Sequence, residues 1–208
     1  MKNRKTHEHH VISKLLRISG VTALGAALTL SLPQPVHAQT VTPPSVPPGL
    51  EVPAPNQAFR VGHAVGTQNY VCQPSDHLGR VNWVLFTPEA TLFDDQSAQI
   101  ITHFNSPNPD EGGVIVRATW QDSRDTSSIW ARGIAFATVD SDAIDWVKLE
   151  VMGKRLGPTG GNALSAATFV QRLNTKGGLA PATGCEVLSD VGHKAFVPYT
   201  ADYFFYRQ

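Results

Sequence analysis

Residues 114–120 read Val-Ile-Val-Arg-Ala-Thr-Trp. Val114, Val116, Ala118 and Trp120 fall on one side of an extended chain, and Ile115, Arg117 and Thr119 on the other. This alternation marks a strand covered on one face. Beyond the polar loop Gln121 to Ser127, the stretch Trp130 to Thr138 alternates again. Trp130, Ile134 and Phe136 share one side with Arg132, whereas Ala131, Gly133, Ala135 and Ala137 form a small-residue side that lets a covering element approach closely. Two such segments across a short polar loop predict a hairpin.

Further strands are expected at Gly62 to Cys72, Asn82 to Phe86, Thr91 to Phe93, Ala98 to Phe104, Trp146 to Met152, Ala163 to Asn174 and Ala201 to Tyr206. Turn-forming clusters separate them, notably Pro107 to Gly113, Gly157 to Gly161 and Lys176 to Gly178. Leu164 to Leu173 has a length that would suit a short helix. Its Thr, Phe and Val content and the glycines nearby favour strand. The run Asp202-Tyr203-Phe204-Phe205-Tyr206 carries aromatics on both faces and reads as a strand covered on both sides. The expected fold is therefore all-β, with residues 57–208 forming one β-sandwich or closed β-barrel of about eight to nine strands. A transmembrane barrel would need outward apolar bands about ten residues long, which segments such as Ala98 to Phe104 do not provide.

The chain starts with a basic segment holding Lys2, Arg4, Lys5, Lys14 and Arg17, continues as an apolar run from Ile18 to Leu32, and then offers Val36-His37-Ala38. That is the layout of a secretory leader over residues 1–38, cleaved near Ala38. The apolar run is about 15 residues, short of the roughly 20 that cross a bilayer. The expected location is therefore secreted or periplasmic, within the cell envelope, with no membrane span. Removing the leader takes five basic residues and one acidic residue from the 17 of each kind, leaving 12 against 16 and a net charge of −4. With no basic stripe, nucleic acid is not an expected partner.

Cys72 and Cys185 are the two cysteines of the chain. In an oxidising compartment, with no third thiol competing, they are expected to form a disulfide. Residues 39–56 are rich in proline (Pro43, Pro44, Pro47, Pro48, Pro53 and Pro55), which fixes φ, removes donors and predicts an extended Pro-rich tether.

Several stretches occur in an order shared by one family: Asn69-Tyr70-Val71-Cys72, Pro88-Glu89-Ala90-Thr91-Leu92, His103-Phe104, Ala143-Ile144-Asp145-Trp146, Val170 to Gly178 with Ala180-Pro181, Cys185, and Val197 to Tyr206. The chain resembles the secreted bacterial and fungal proteins catalogued as domain of unknown function 3455. The resemblance implies a compact exported domain and lends no established activity. Where family members follow the His-aromatic pair with Ala-Gly-Pro-Thr-Trp, this chain has Asn105-Ser106-Pro107-Asn108.

The sequence has no Gly-x-Ser-x-Gly elbow, His-Glu-x-x-His pair or phosphate-cradling glycine loop. Its histidines beyond the leader, His63, His77, His103 and His193, show no metal-ligand spacing, so neither a metal nor a cofactor is expected. His103 ends a strand and enters a Pro-containing loop, where sites concentrate. Trp120 and Trp130 flank the hairpin loop and, if paired across it, would make a flat platform for a sugar ring or another apolar face. The carboxylates fall mostly at turns, where they bond local amides. The reading that results is an exported β-domain acting as a non-catalytic binding or envelope-associated module. Its expected partner is a small molecule, a glycan or an envelope component, with His103, Trp120, Trp130 and Asp145 as candidate ligand-binding residues. The alternative is a hydrolase of envelope or extracellular substrates that uses His103 with a nearby carboxylate such as Asp145.

Overall fold

The computed structural model describes residues 41–76 and 78–208. The leader read over residues 1–38 and His77 lie outside the described residues. The strands are β1 (Gln57–Pro74), β2 (Val81–Phe93), β3 (Gln99–Pro107), β4 (Val116–Asp122), β5 (Ser128–Ala137), β6 (Trp146–Arg155), β7 (Phe169–Gly177) and β8 (Lys194–Arg207). Each pairs antiparallel with its sequence neighbour, and β8 returns to β1, so the sheet closes into a barrel. Of the two expected architectures, the barrel is the one formed.

Nine expected segments become eight strands. Asn82 to Phe86 and Thr91 to Phe93 merge into β2 through Pro88, and β8 starts well before Ala201, running through Pro198. A proline removes a ladder donor and is tolerated where the ladder is already irregular. Pro88 pairs with Gln68 of β1 beside the β1–β2 bulge at Asn69/Tyr70, whereas Pro198 pairs with Thr67 in a regular part of the β1–β8 ladder, just beyond Tyr199, the last β8 residue paired with β7.

Residues 163–168 form a turn rather than the start of β7. Leu164 and Ala167 are fully buried there and belong to the core inside the barrel, with Leu92, Ile101, Ile129 and Phe205. The Leu164 amide donates to Ser127 Oγ at 3.1 Å, which holds this β6–β7 loop across the β4–β5 turn. Together these residues close one end of the barrel.

Bulges at Trp130/Ala131 and Gly133/Ala135 interrupt β5. They shift the alternation, so the face expected to join Trp130, Ile134 and Phe136 is not kept. Ile129 and Ala131 point inward, while Trp130 lies on the outer wall, its Nε1 donating to Ser106 Oγ at 2.8 Å. The β3–β4 loop covers this wall. The buried Asn108 sits so close over Gly153 that a Cβ there would meet its Oδ1 at 2.1 Å.

β8 is covered on both sides, as its sequence predicts. Tyr203 and Phe205 enter the core, and Phe204 and Tyr206 join Leu173 in a second cluster on the outside. The cover over that cluster is the Pro-rich segment. Val41, Val46 and Val52 pack against it, and Leu50 is 1% exposed. Gln171 Nε2 donates to the Leu50 carbonyl at 2.6 Å, and Lys148 Nζ donates to the carbonyls of Gly49 and Glu51 at 2.7 and 3.0 Å. The segment expected to be a tether is extended but bound along the wall. Proline explains both facts, since a chain with few donors and a fixed φ stays straight and presents carbonyls that side chains can satisfy.

The disulfide Cys72–Cys185 forms, with Cα atoms 5.5 Å apart, and ties the end of β1 to the long β7–β8 loop.

Candidate functional site

Toward the end opposite the Leu164 closure, the lumen holds a cavity of about 230 Å³ to which all eight strands contribute. Its walls include Leu85, Phe136, Val147 and Leu149, and its polar side chains come from Gln68, His103, Asn105, Arg172 and Tyr203. Leu85 and Phe136 remain exposed at the rim. The Phe136 ring folds over Gly133, where a Cβ would meet it at 2.6 Å.

An aromatic stack forms the inner part of the cavity. His103 on β3 and Trp120 on β4 face each other across the ladder, and their rings stack with centroids 4.4 Å apart and planes 9° from parallel. Tyr203 packs against both, at 5.1 and 5.5 Å. His103 Nδ1 lies 2.8 Å from the Thr119 carbonyl, which can only accept, so this nitrogen carries the hydrogen and Nε2 is left as an acceptor. Burial pushes the imidazole pKa down to about 3, which keeps the ring neutral at physiological pH. The Tyr199 and Tyr203 hydroxyls meet at 3.2 Å, and burial raises both phenol pKa values.

Of the candidate residues, His103 and Trp120 come together in the lumen. Trp130 does not join them. In the β4–β5 register Trp120 opposes Ile129 and Trp130 opposes Thr119, so the two indoles face opposite sides of one sheet and form no common platform. Asp145 is also apart from His103. Its carboxylate accepts from Thr138 Oγ1 at 2.7 Å, and its backbone carbonyl accepts from Arg172 Nε and Nη2 at 3.1 and 2.9 Å. The His103–Asp145 pair imagined for hydrolysis is therefore not assembled, because the His103 hydrogen is already donated to a backbone carbonyl.

Arg172, Gln68, Tyr203 and Phe136 line the cavity and escaped the sequence reading. Arg172 carried a legible signal. On β7 it shares the inward side with the fully buried Val170, a lone cation on a core-facing side. Phe136 carried none, because its inward turn depends on the β5 bulges.

A second ionisable cluster lies on the outer wall. His63 Nδ1 is 2.6 Å from Asp202 Oδ1, and Nε2 is 2.9 Å from Asp95 Oδ1. These hydrogen bonds, the one to Asp202 first, raise the His63 pKa. Asn174 Nδ2 donates to the other Asp202 oxygen at 2.8 Å. Among the described residues, no group of three or more His, Cys, Asp or Glu side chains is arranged to hold a metal ion.

Fold and cavity define a single-domain antiparallel β-barrel with a lumen pocket open at one end. A family model matches residues 53–207, and the chain belongs to that family, described as Protein of unknown function (DUF3455). No curated protein and no solved structure matches the chain.

Proposed function

We propose that this chain is an exported binding protein that holds a small, largely apolar molecule in the lumen of its barrel. The observation that carries the reading is the cavity itself, a concave, mostly apolar space with a few convergent polar groups, to which every strand contributes. An apolar lumen favours a small molecule over a glycan as the occupant. It also reverses the distribution of a transmembrane barrel, whose interior is polar. Among the described residues, no helix is long and apolar enough to cross a membrane. Export is supported by the leader-like residues 1–38 and by a disulfide, a bond that persists in oxidising compartments.

Trp120 at the cavity wall is a built-in reporter. The purified protein is titrated with small apolar molecules while indole fluorescence and melting temperature are followed. A true occupant quenches or shifts Trp120 emission and raises the melting temperature in a concentration-dependent way. It also loses affinity when Leu149→Trp fills the lumen. Ligands that stabilise the wild-type and the filled variant equally would refute lumen binding. N-terminal sequencing of protein recovered from its host is expected to start near Gln39, and an intact leader would refute export.

A further inference from the structure

The residues lining the lumen carry two buried hydrogen-bond donors without acceptors, alongside one acceptor, His103 Nε2. Among the described residues, Arg172 is the one charged side chain lining the cavity. Its Nε and Nη2 are engaged by a backbone carbonyl, and none of the ion pairs among the described residues includes it. The groups that feel its charge are His103, Tyr70, Tyr199 and Tyr203, all neutral at pH 7, and the Tyr203 hydroxyl is also within reach of its guanidinium. Two further donors, Trp120 Nε1 and Gln68 Nε2, are buried without an acceptor, on residues 0% and 1% exposed that line the same cavity. The Gln68 amide lies near the Tyr199 hydroxyl without reaching hydrogen-bond geometry.

A buried donor left without an acceptor is destabilising, and folded proteins carry few of them. Here two belong to residues that line one cavity together with a cation that enters none of the ion pairs among the described residues. A carboxylate meets all of these needs together, since it is negative, only accepts, and has two oxygens with about four lone-pair sites. Because Arg172 is the only cation lining the cavity among the described residues, one such group is matched and a second would be buried unpaired. A cavity of about 150 Å³ lined by apolar side chains holds benzene. At about 230 Å³ the lumen therefore has room for one ring and a short extension.

We propose that the barrel binds a monocarboxylic acid with a small, preferably aromatic body, its carboxylate received by Arg172 with the Trp120 and Gln68 donors, and its body lying against Leu85, Phe136 and Val147. The proposal rests on the lumen-binding reading and adds the chemical class of the ligand. It assigns Arg172 as the anchor.

The test compares isosteres. The full chain, expressed with its own leader, is titrated with benzoate and cinnamate, and in parallel with benzamide and cinnamamide, by calorimetry and Trp fluorescence. Each acid is expected to bind at least about tenfold more tightly than its amide, the range of a charged over a neutral hydrogen bond. Arg172→Gln keeps a donor for the Asp145 carbonyl and removes the charge; it is expected to abolish the preference while retaining amide binding. Trp120→Phe, which keeps the ring and loses Nε1–H, is expected to weaken the acids several-fold. Equal binding of acid and amide by the unmodified protein would overturn the carboxylate assignment and leave the lumen reading standing. A preference that survives Arg172→Gln would overturn Arg172 as the anchor. Binding of neither acid nor amide would overturn both. The acid-to-amide ratio of the unmodified protein needs no variant, so the conclusion does not depend on how well the Arg172 variant folds.

Discussion

Leu50 tests whether the Pro-rich segment belongs to the folded unit. It is 1% exposed, its carbonyl accepts from Gln171 Nε2, and the segment around it covers Leu173, Phe204 and Tyr206. Truncating a fully buried leucine to alanine costs about 2–5 kcal/mol, the spread reflecting how far the surroundings relax into the gap. Leu50 sits under a strap bonded to Gln171 and Lys148, which limits that relaxation, so Leu50→Ala is expected to cost about 3 kcal/mol. For a domain of this size, 1 kcal/mol moves the melting temperature by roughly 2–4 °C, so the variant should melt about 6–12 °C below wild type. Thermal and urea unfolding of Leu50→Ala, with the exposed Ser45→Ala as control, measures this. The control is expected within about 0.5 kcal/mol of wild type. A freely moving tether would give the same null result for Leu50→Ala. A loss below about 0.5 kcal/mol would therefore refute the docked strap.

Opening the disulfide by reduction, or by Cys72→Ala with Cys185→Ala, is expected to destabilise the protein by about 5 kcal/mol in the chain-entropy model, given a sequence separation of 113 residues. Urea unfolding with and without reductant reads it, and an unchanged midpoint would contradict it. Leu164→Ala should cost about 2–5 kcal/mol in the same assay, because it removes a fully buried plug from the closed end; an effect near zero would show that the turn does not close the barrel. The two histidines should respond to pH in opposite senses. His63, with its pKa raised by Asp202 and Asp95, contributes stability that is present below its unfolded pKa and is lost as pH rises through the folded value. His103, kept neutral by burial down to about pH 3, binds its proton more readily unfolded, so its contribution is lost as pH falls below the unfolded value. Imidazole NMR titration should find His63 protonated above pH 6.5 and His103 silent from pH 8 to 5. A His103 resonance titrating near pH 6.5 would contradict its burial.

The strand content of this fold was legible because alternation survives wherever the ladder is regular. Val116 to Trp120 and Trp146 to Val151 are strands for the reason their sequences suggest. Reading failed where local rules meet tertiary exceptions. The expected strands stop short of Pro88 and Pro198, yet Pro88 is carried by the bulge in the β1–β2 ladder, and Pro198 lies just past the last β7 partner of β8, where the missing amide hydrogen leaves no β7 bond unmade. Alternation through β5 was broken by two bulges, one at Gly133, a residue type that allows a bulge, and one at Trp130/Ala131 that no residue type announces; together they sent Trp130 outward and Phe136 inward. The Pro-rich stretch could be seen to be extended, but the surface it binds is assembled from Leu173, Phe204 and Tyr206 of distant strands. At the site, His103 was singled out as the end of a strand entering a Pro-containing loop and Trp120 as a flank of the hairpin loop; that they face each other follows only from the β3–β4 register. Their companions Gln68, Arg172 and Tyr203 belong to β1, β7 and β8, which reach them only when the barrel closes.

The closure by Leu164 and Ala167 gives the barrel a floor and leaves Leu85 and Phe136 at its doorway. A vessel of this form can shelter and carry a guest but cannot conduct one from side to side. On the proposed lumen-binding reading, whatever enters must back out past the same threshold, which places control of residence time at the Phe136 lip.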